Sequence, residues 1–320
     1  MLKKLFNELS FDLIIDTVDP IIIKSGKASL TGPDDNPVKT WRSGREDAEP
    51  FIPGSSLKGA FRSHIEKIVR TFNEEIVCIP YLNEFCGNKF QKRLNENEWG
   101  KNKFPTTELV YSESCPICRL FGSTFFKGRI AISDAYLIEG TEAVLEERDG
   151  VAIDRFTGGA AAGALFQLEV VSKAQFKTKI IVQNFECWQL GMIAILVSDL
   201  EDELIQIGSG TSRGFGRIKG TVNNFAISYF RGLANLNQVR GFVWGLGRCL
   251  DNGTYGTSPE DFFALKIMPT EKVIGIRKKY EFDGEALDEL KSISINKFYE
   301  SISNWTLPVR MRFDDIKRRN

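Results

Sequence analysis

The chain is predicted to be an α+β protein built on a ferredoxin-like split βαβ. Three observations carry that prediction. Strand-like and helix-like runs alternate as β, α, β, β, α, β over residues 1–229. The first helix is marked by apolar residues at three- and four-residue spacing. The composition, 42% hydrophobic and 26% charged over 320 residues, is that of a globular protein able to bury one large core or two modest ones.

The elements follow in order. Residues 11–23, F-D-L-I-I-D-T-V-D-P-I-I-I, read as a strand that turns at Asp19-Pro20. Residues 24–50 are polar and rich in Gly, Pro and Asp, and read as a loop. Ser55 or Ser56 is placed to N-cap a helix whose core stripe is Leu57, Phe61, Ile65, Ile68 and Phe72. Lys58 and Arg62 sit one turn apart near its start, whereas Lys67 and Arg70 read as a solvated face. His64, the one histidine, falls off the stripe, toward solvent or a phosphate. Residues 71–127 hold little regular pattern and read as an insertion. Strand-like runs resume at 128–138 and 164–183, with an arm between them, residues 151–166. The arm ends in G-G-A-A-A-G, which has no bulky or charged side chain; it would slide between stacked bases or serve as a flexible loop. A helix with Trp188, Ile193, Ile195, Leu196 and Leu200 follows, then a glycine-rich loop and a last strand near 217–227. Beyond it, helix-like segments near 235–250, 258–267 and 284–304 predict a helical C-terminal extension over 230–320, ending V-R-M-R-F-D-D-I-K-R-R-N.

Two stretches carry chemistry. Ile207 to Gly220 reads I-G-S-G-T-S-R-G-F-G-R-I-K-G, with Gly208, Gly210, Gly214 and Gly216 interleaved with Arg213, Phe215 and Arg217. Glycine lets backbone N–H groups approach a phosphate, and the arginines supply counter-charge, so the loop suits a polyanion. It is neither a Walker A loop nor G-x-G-x-x-G opening a helix, and no acidic ribose partner lies at the expected distance. A small-molecule nucleotide enzyme is therefore disfavoured, with a mobile surface turn as the plain alternative. Cys78 and Cys86 lie in C-I-P-Y-L-N-E-F-C, and Cys115 and Cys118 in C-P-I-C. Four thiolates suit a closed, structural Zn²⁺ site stapling the insertion; four unconnected thiols are the alternative. Cys187 and Cys249 read as small buried hydrophobes.

Charge narrows the partners. Forty-two basic residues balance forty-two acidic ones, so any nucleic-acid site is a local patch. No signal peptide and no membrane-spanning apolar run is seen, and a cytoplasmic protein with reduced thiols is expected.

Three segments in one order, F-I-P-G-S-S-L-K-G-A-F-R-S-H-I-E, C-P-I-C-R-L-F-G-S and the glycine loop, resemble the RAMP superfamily. Within it they are most similar to the backbone subunits of type III CRISPR effector complexes, over roughly residues 8–228. The resemblance implies an RRM-like core that polymerises along a CRISPR guide RNA beside other subunits and presents the guide to a complementary target RNA. It implies that the arm is a thumb that displaces a base at intervals, with Phe156 at its base propping the displaced nucleotide or packing in the core. It also implies guide contacts from Lys58, Arg62 and the glycine loop, where Phe215 stacks on a base or plugs the loop onto the core. The segment 230–320 lies outside the resemblance.

Some backbone subunits of that family cut target RNA with an aspartate in a loop after the first strand. Here T-G-P-D-D-N-P-V-K aligns Asp35 with the family's D-N-P-V element, and Asp34 is one residue off. The resemblance implies that Asp35 orients a 2′-OH for attack on the adjacent phosphate or holds Mg²⁺ or another divalent metal there, leaving a 2′,3′-cyclic phosphate. Three alternatives stay open. Asp35 is an Asx-turn residue beside a proline; the chain is a binding-only scaffold; or it is a stand-alone CRISPR repeat-processing endoribonuclease. A histidine-pair ribonuclease mechanism is excluded, since there is no second histidine.

Overall fold

Strand β1 (Asn7–Thr17) buries alternate residues, among them Leu9, Phe11, Leu13 and Ile15, so one of its faces lies on the core, and it is paired along both edges, in the interior of the sheet. The structure is a computed structural model that describes residues 3–26, 33–101, 103–230, 241–250 and 253–313. Part of the loop expected at 24–50, the start of the helix expected near 235–250 and the end of the tail lie outside the described residues. After β1 the chain turns at Asp19-Pro20, as the sequence suggests.

Helix α1 (Gly54–Phe72) buries Leu57, Phe61 and Ile65 from the expected stripe. Neither Ser55 nor Ser56 caps it. Pro53 occupies the cap position, and the carboxylate Oδ1 of Asp134 accepts from Gly54 N–H at 2.7 Å. A backbone bridge between Ile52 and Ala135 brings that distant cap into place. Phe72, at the exposed end of the stripe, packs edge-on against Phe298 and Tyr299.

The insertion is more regular than its sequence suggests, with helices α2 (Cys86–Asn95), α3 (Thr107–Glu113) and α4 (Pro116–Phe121). Strand β2 (Ile130–Ile132) follows, then a long antiparallel hairpin of β3 (Val144–Ile153) and β4 (Ala160–Lys173). The run expected as one strand at 164–183 is broken at Ala174, where β4 gives way to β5 (Gln175–Gln183). The hairpin turn is 154–159, so the Ala160–Ala162 part of G-G-A-A-A-G lies inside β4 rather than at the tip. Asp154 makes that turn, accepting from the N–H groups of Phe156 and Thr157.

Helix α5 (Cys187–Glu201) is buried around most of its circumference, and Glu186 and Gln189 close its start with a capping box. The glycine loop leads into β6 (Ile218–Phe230). The expected helical extension is mixed instead. It holds β7 (Phe242–Trp244) paired with β8 (Phe262–Ala264), a short α6 (Leu246–Leu250), the hairpin of β9 (Thr270–Ile274) and β10 (Arg277–Glu281), and α7 (Gly284–Ser303). The segment expected as a helix at 258–267 contains β8, because Phe262 and Phe263 alternate in burial as strand residues do.

All these strands but β3, β4, β7 and β8 belong to one antiparallel sheet, ordered β9-β10-β6-β1-β5-β2, with the two-residue strand Tyr136–Leu137 also on β5. The inward side chains of β1, β5 and β6 join those of α1 and α5 in one core. The extension completes it. Strand β10 covers the edge of β6, and α7 lies against α5 so closely that a Cβ on Gly191 would fall 2.3 Å from the Ser294 carbonyl. No helix among the described residues is long and apolar enough to cross a membrane.

Candidate functional site

Four segments of the chain meet at a cleft of about 270 Å³ beside the base of the hairpin. The strand-end segment gives Ile22 and Lys24, the Asp35 loop gives Asp35, strand β4 gives Phe166 and Leu168, and the glycine loop gives Ser209, Gly210, Arg213 and Phe215.

Each segment is fixed by backbone hydrogen bonds. The Asp35 loop runs alongside β4, with Asp35 N–H donating to Gln167 C=O at 3.3 Å and Glu169 N–H donating to Asp35 C=O at 3.0 Å. It also pairs with the chain after β1, where Ser25 N–H donates to Asn36 C=O and Val38 N–H to Ile23 C=O. Asp34 and Asp35 then differ sharply. The Asp34 carboxylate is spent on Gln167 N–H at 2.9 Å, whereas the Asp35 carboxylate faces the cleft and meets Lys24 Nζ at 2.5 Å. The glycine loop is docked on the same segment, with Ser209 N–H donating to Ile22 C=O and Gly216 N–H to Pro20 C=O. Gly208 permits this approach. Its φ is +80°, and a Cβ there would lie 2.3 Å from the Ile22 carbonyl. Gly210 and Gly214, both left-handed, flank the single turn Thr211–Arg213.

Phe215 is half-buried and plugs the loop onto a small cluster of Ile22, Leu168 and Val170. The Arg213 guanidinium lies over the Phe166 ring, 5.4 Å from its centroid. Arg217 points elsewhere and is matched by acids: its Nε and Nη2 donate to Asp19 at 3.1 and 3.3 Å, with Glu203 3.8 Å away. Lys24 and Phe166 were not singled out by sequence reasoning. Neither has a local signal, since both matter through partners more than ten residues away.

Lys58 and Arg62 are not in this cleft. They line a second one of about 580 Å³ between α1 and the insertion, with Lys127, Phe85 and Thr124 among its other walls. Lys58 Nζ donates to Ile130 C=O at 3.2 Å. Burial, and then the charges of Arg62 and Lys127, hold its ammonium below its ordinary pKa, so a bound anion would relieve the site. Arg62 is committed to the protein, donating to Glu66, to Gly122 C=O at 3.1 Å and to Cys118 Sγ at 3.3 Å. Phe156 is at the hairpin tip rather than its base, and at 102% relative exposure it packs in no core. His64 does not face a phosphate: its Nε2 is 2.6 Å from Asp199 Oδ2, bridging α1 to α5.

The four insertion cysteines converge and are buried, with every Sγ within 4.8 Å of the others. The seven-residue gap between Cys78 and Cys86 is closed by paired hydrogen bonds between Ile79 and Glu84. The N–H groups of Cys86, Cys115 and Cys118 donate to Sγ of Cys78, Cys86 and Cys115 at 3.2, 3.3 and 3.3 Å, which orients the sulfurs inward. Cys78 Sγ is 3.5–3.6 Å from the other three. A tetrahedron with metal–sulfur bonds of about 2.3 Å has edges of about 3.8 Å, so the set fits one thiophilic ion. These cysteines could hold a metal. Among the described residues no other group of three or more ligating side chains exists, so Asp35 alone is not a preformed cation site.

The model of the RAMP superfamily matches residues 14–219, a span holding the cleft and the cysteines and ending before the C-terminal extension. One similar protein is the CRISPR system Cms endoribonuclease Csm3 of Methanocaldococcus jannaschii. The two are 28% identical over 201 residues, covering 59% of this chain and 68% of that protein.

Proposed function

The chain belongs to the RAMP superfamily, and from that premise we propose that it is an RNA-binding backbone subunit of a type III CRISPR effector complex that cuts target RNA through Asp35. The order of the central strands, β6-β1-β5-β2 with α1 and α5 on the core, supports reading the core as ferredoxin-like and RRM-like. The hairpin β3–β4, solvent-exposed over most of its length, is the thumb. The cysteine cluster holds structural Zn²⁺, for which its donor set is suited.

The guide RNA runs over the glycine loop and the Lys58 cleft. Loop amides and Arg213 serve phosphates in the first, and Lys58 and Lys127 do so in the second. Arg62 anchors α1 to the cysteine cluster, and it supports this surface more than it touches RNA. Arg217 reaches a phosphate only by leaving Asp19.

The single observation that carries cleavage is the convergence of Asp35, the hairpin base and the glycine loop on one cleft. RNA held by the loop and splayed by the hairpin would present a target phosphodiester there. Attack of the 2′-oxygen on the adjacent phosphorus breaks the P–O5′ bond and leaves a 2′,3′-cyclic phosphate, with Asp35 orienting the 2′-OH and taking its proton. A divalent cation such as Mg²⁺, held by Asp35 and by RNA phosphate oxygens, would supply charge neutralisation. One observation favours a second reading, a scaffold that does not cut: the Asp35 carboxylate is ion-paired with Lys24.

The two readings separate in the assembled complex with guide, Mg²⁺ and labelled complementary RNA. Wild type is expected to give regularly spaced cuts. Asp35→Ala should slow them by about 10²–10³-fold with target binding intact, a loss on the scale of one removed catalytic group. Identical cut patterns would make the chain a scaffold.

A further inference from the structure

Building on the cleavage reading above for its chemistry, we infer that Lys24 is a second catalytic side chain of the cleft. In the RNA-free chain it neutralises Asp35; with target bound it moves to a non-bridging oxygen of the phosphate under attack. Lys24 is set opposite the Asp35 loop by the backbone bridge between Lys24 and Pro37, flanked by the hydrogen bonds from Ser25 and Val38. Its position is therefore as well determined as that of Asp35.

The pair is also easy to open. The two side chains are 43% and 30% exposed, and pairs this accessible to water hold together only weakly. An incoming phosphate can therefore take the lysine at little cost. Charge in the cleft points the same way. Asp34 is turned to Gln167 N–H, so among the described residues Asp35 is the one carboxylate lining the cleft, against Lys24 and Arg213. Two cations and one acid among the described residues suit a polyanion.

The chemistry uses both members of the pair. The 2′-O–P bond forms, the P–O5′ bond breaks, the 2′-OH proton passes to Asp35, and the departing 5′-oxygen takes a proton from water. Charge builds on the non-bridging oxygens as the phosphorus becomes five-coordinate, and an ammonium placed there stabilises that state more than the ground state. Departure of Lys24 to the phosphate frees the carboxylate for the proton, so arrival of substrate switches on the base.

The test uses the guide-loaded complex with a complementary RNA short enough to dissociate measurably. Single-turnover cleavage and the salt dependence of target binding are read for wild type, Lys24→Ala, Lys24→Arg and Asp35→Ala. Lys24→Ala is expected to cut about 10²-fold more slowly and to lower the salt slope by about one. Lys24→Arg should keep the wild-type slope and recover most of the rate, which rules out misfolding as the cause. A Lys24→Ala slope equal to wild type overturns the inference, whatever the rate, and so does an unchanged rate in a complex that Asp35→Ala inactivates. If Asp35→Ala cuts like wild type, the cleavage reading fails on its own, and the Lys24→Ala slope then decides the phosphate contact separately.

Discussion

Phe156 stands fully in solvent while its backbone is held by Asp154, an arrangement that costs exposed apolar surface and gains nothing for the fold. Phe156→Ala is therefore expected to leave the melting temperature unchanged, as surface substitutions do within about 0.5 kcal/mol. It should weaken target binding by about 1–3 kcal/mol, the worth of one stacked base. Thermal melts and RNA titration of the assembled complex check both, and unchanged affinity would remove Phe156 from the RNA path. The residue scale is where the sequence is read most unevenly. Asp35 is singled out by the family resemblance of its D-N-P-V element, since the bare residues read as an Asx turn, and the geometry separates it from Asp34 by what each carboxylate faces. The partners Lys24 and Phe166 are not legible, since nothing in the sequence sets the register of a loop against β4. Arg62 and Arg217 look like ready phosphate ligands in sequence, yet Cys118, Glu66 and Asp19 already occupy them.

The insertion shows what a cluster of cysteines does at the scale of an element. Helix α4 begins at Pro116 with Cys115 as its cap, the Sγ accepting from Cys118 N–H, and α2 begins at Cys86. Both helices thus start at the proposed metal, and each is too short to persist alone. Removal of the ion should unfold this element and loosen α1 through Arg62. Purified protein is expected to carry one Zn²⁺ per chain by elemental analysis. Cys115→Ser or a strong chelator should strip it, lower the melting temperature by more than about 10 °C, and weaken guide binding at the Lys58 cleft. Metal-free protein with an unchanged melting curve would leave the cluster four buried thiols. All four cysteines are legible as one set, the C-x-x-C pair by its spacing and Cys78 and Cys86 by their place in the same insertion; what the sequence does not show is that the seven-residue gap becomes a tight loop through the Ile79–Glu84 pairing.

At the scale of the whole molecule the C-terminal extension is part of the core rather than an appendage. Strand β10 pairs with β6, α7 lies along α5, and Phe313 N–H donates to Glu75 C=O, tying the segment after α7 to the insertion. Alternation of strands and helices up to β6 is legible because each amphipathic period is local. The extension is misread because an aromatic pair such as Phe262-Phe263 satisfies helix and strand patterns alike until pairing with β7 chooses between them, and because the open edge of β6, which recruits β10, is invisible in the local sequence. On the proposed function, the two cationic clefts and the hairpin tip mark one RNA path, a set of local patches on a chain of balanced net charge. The most direct measurement is to purify the complex with 4-thiouridine in its RNA, irradiate it, and map the crosslinked peptides. The account predicts guide RNA in the preparation, with crosslinks in 209–217 and around Lys58 and Lys127, and target RNA crosslinked at 154–159. Absence of RNA, or crosslinks confined to the extension, would contradict it.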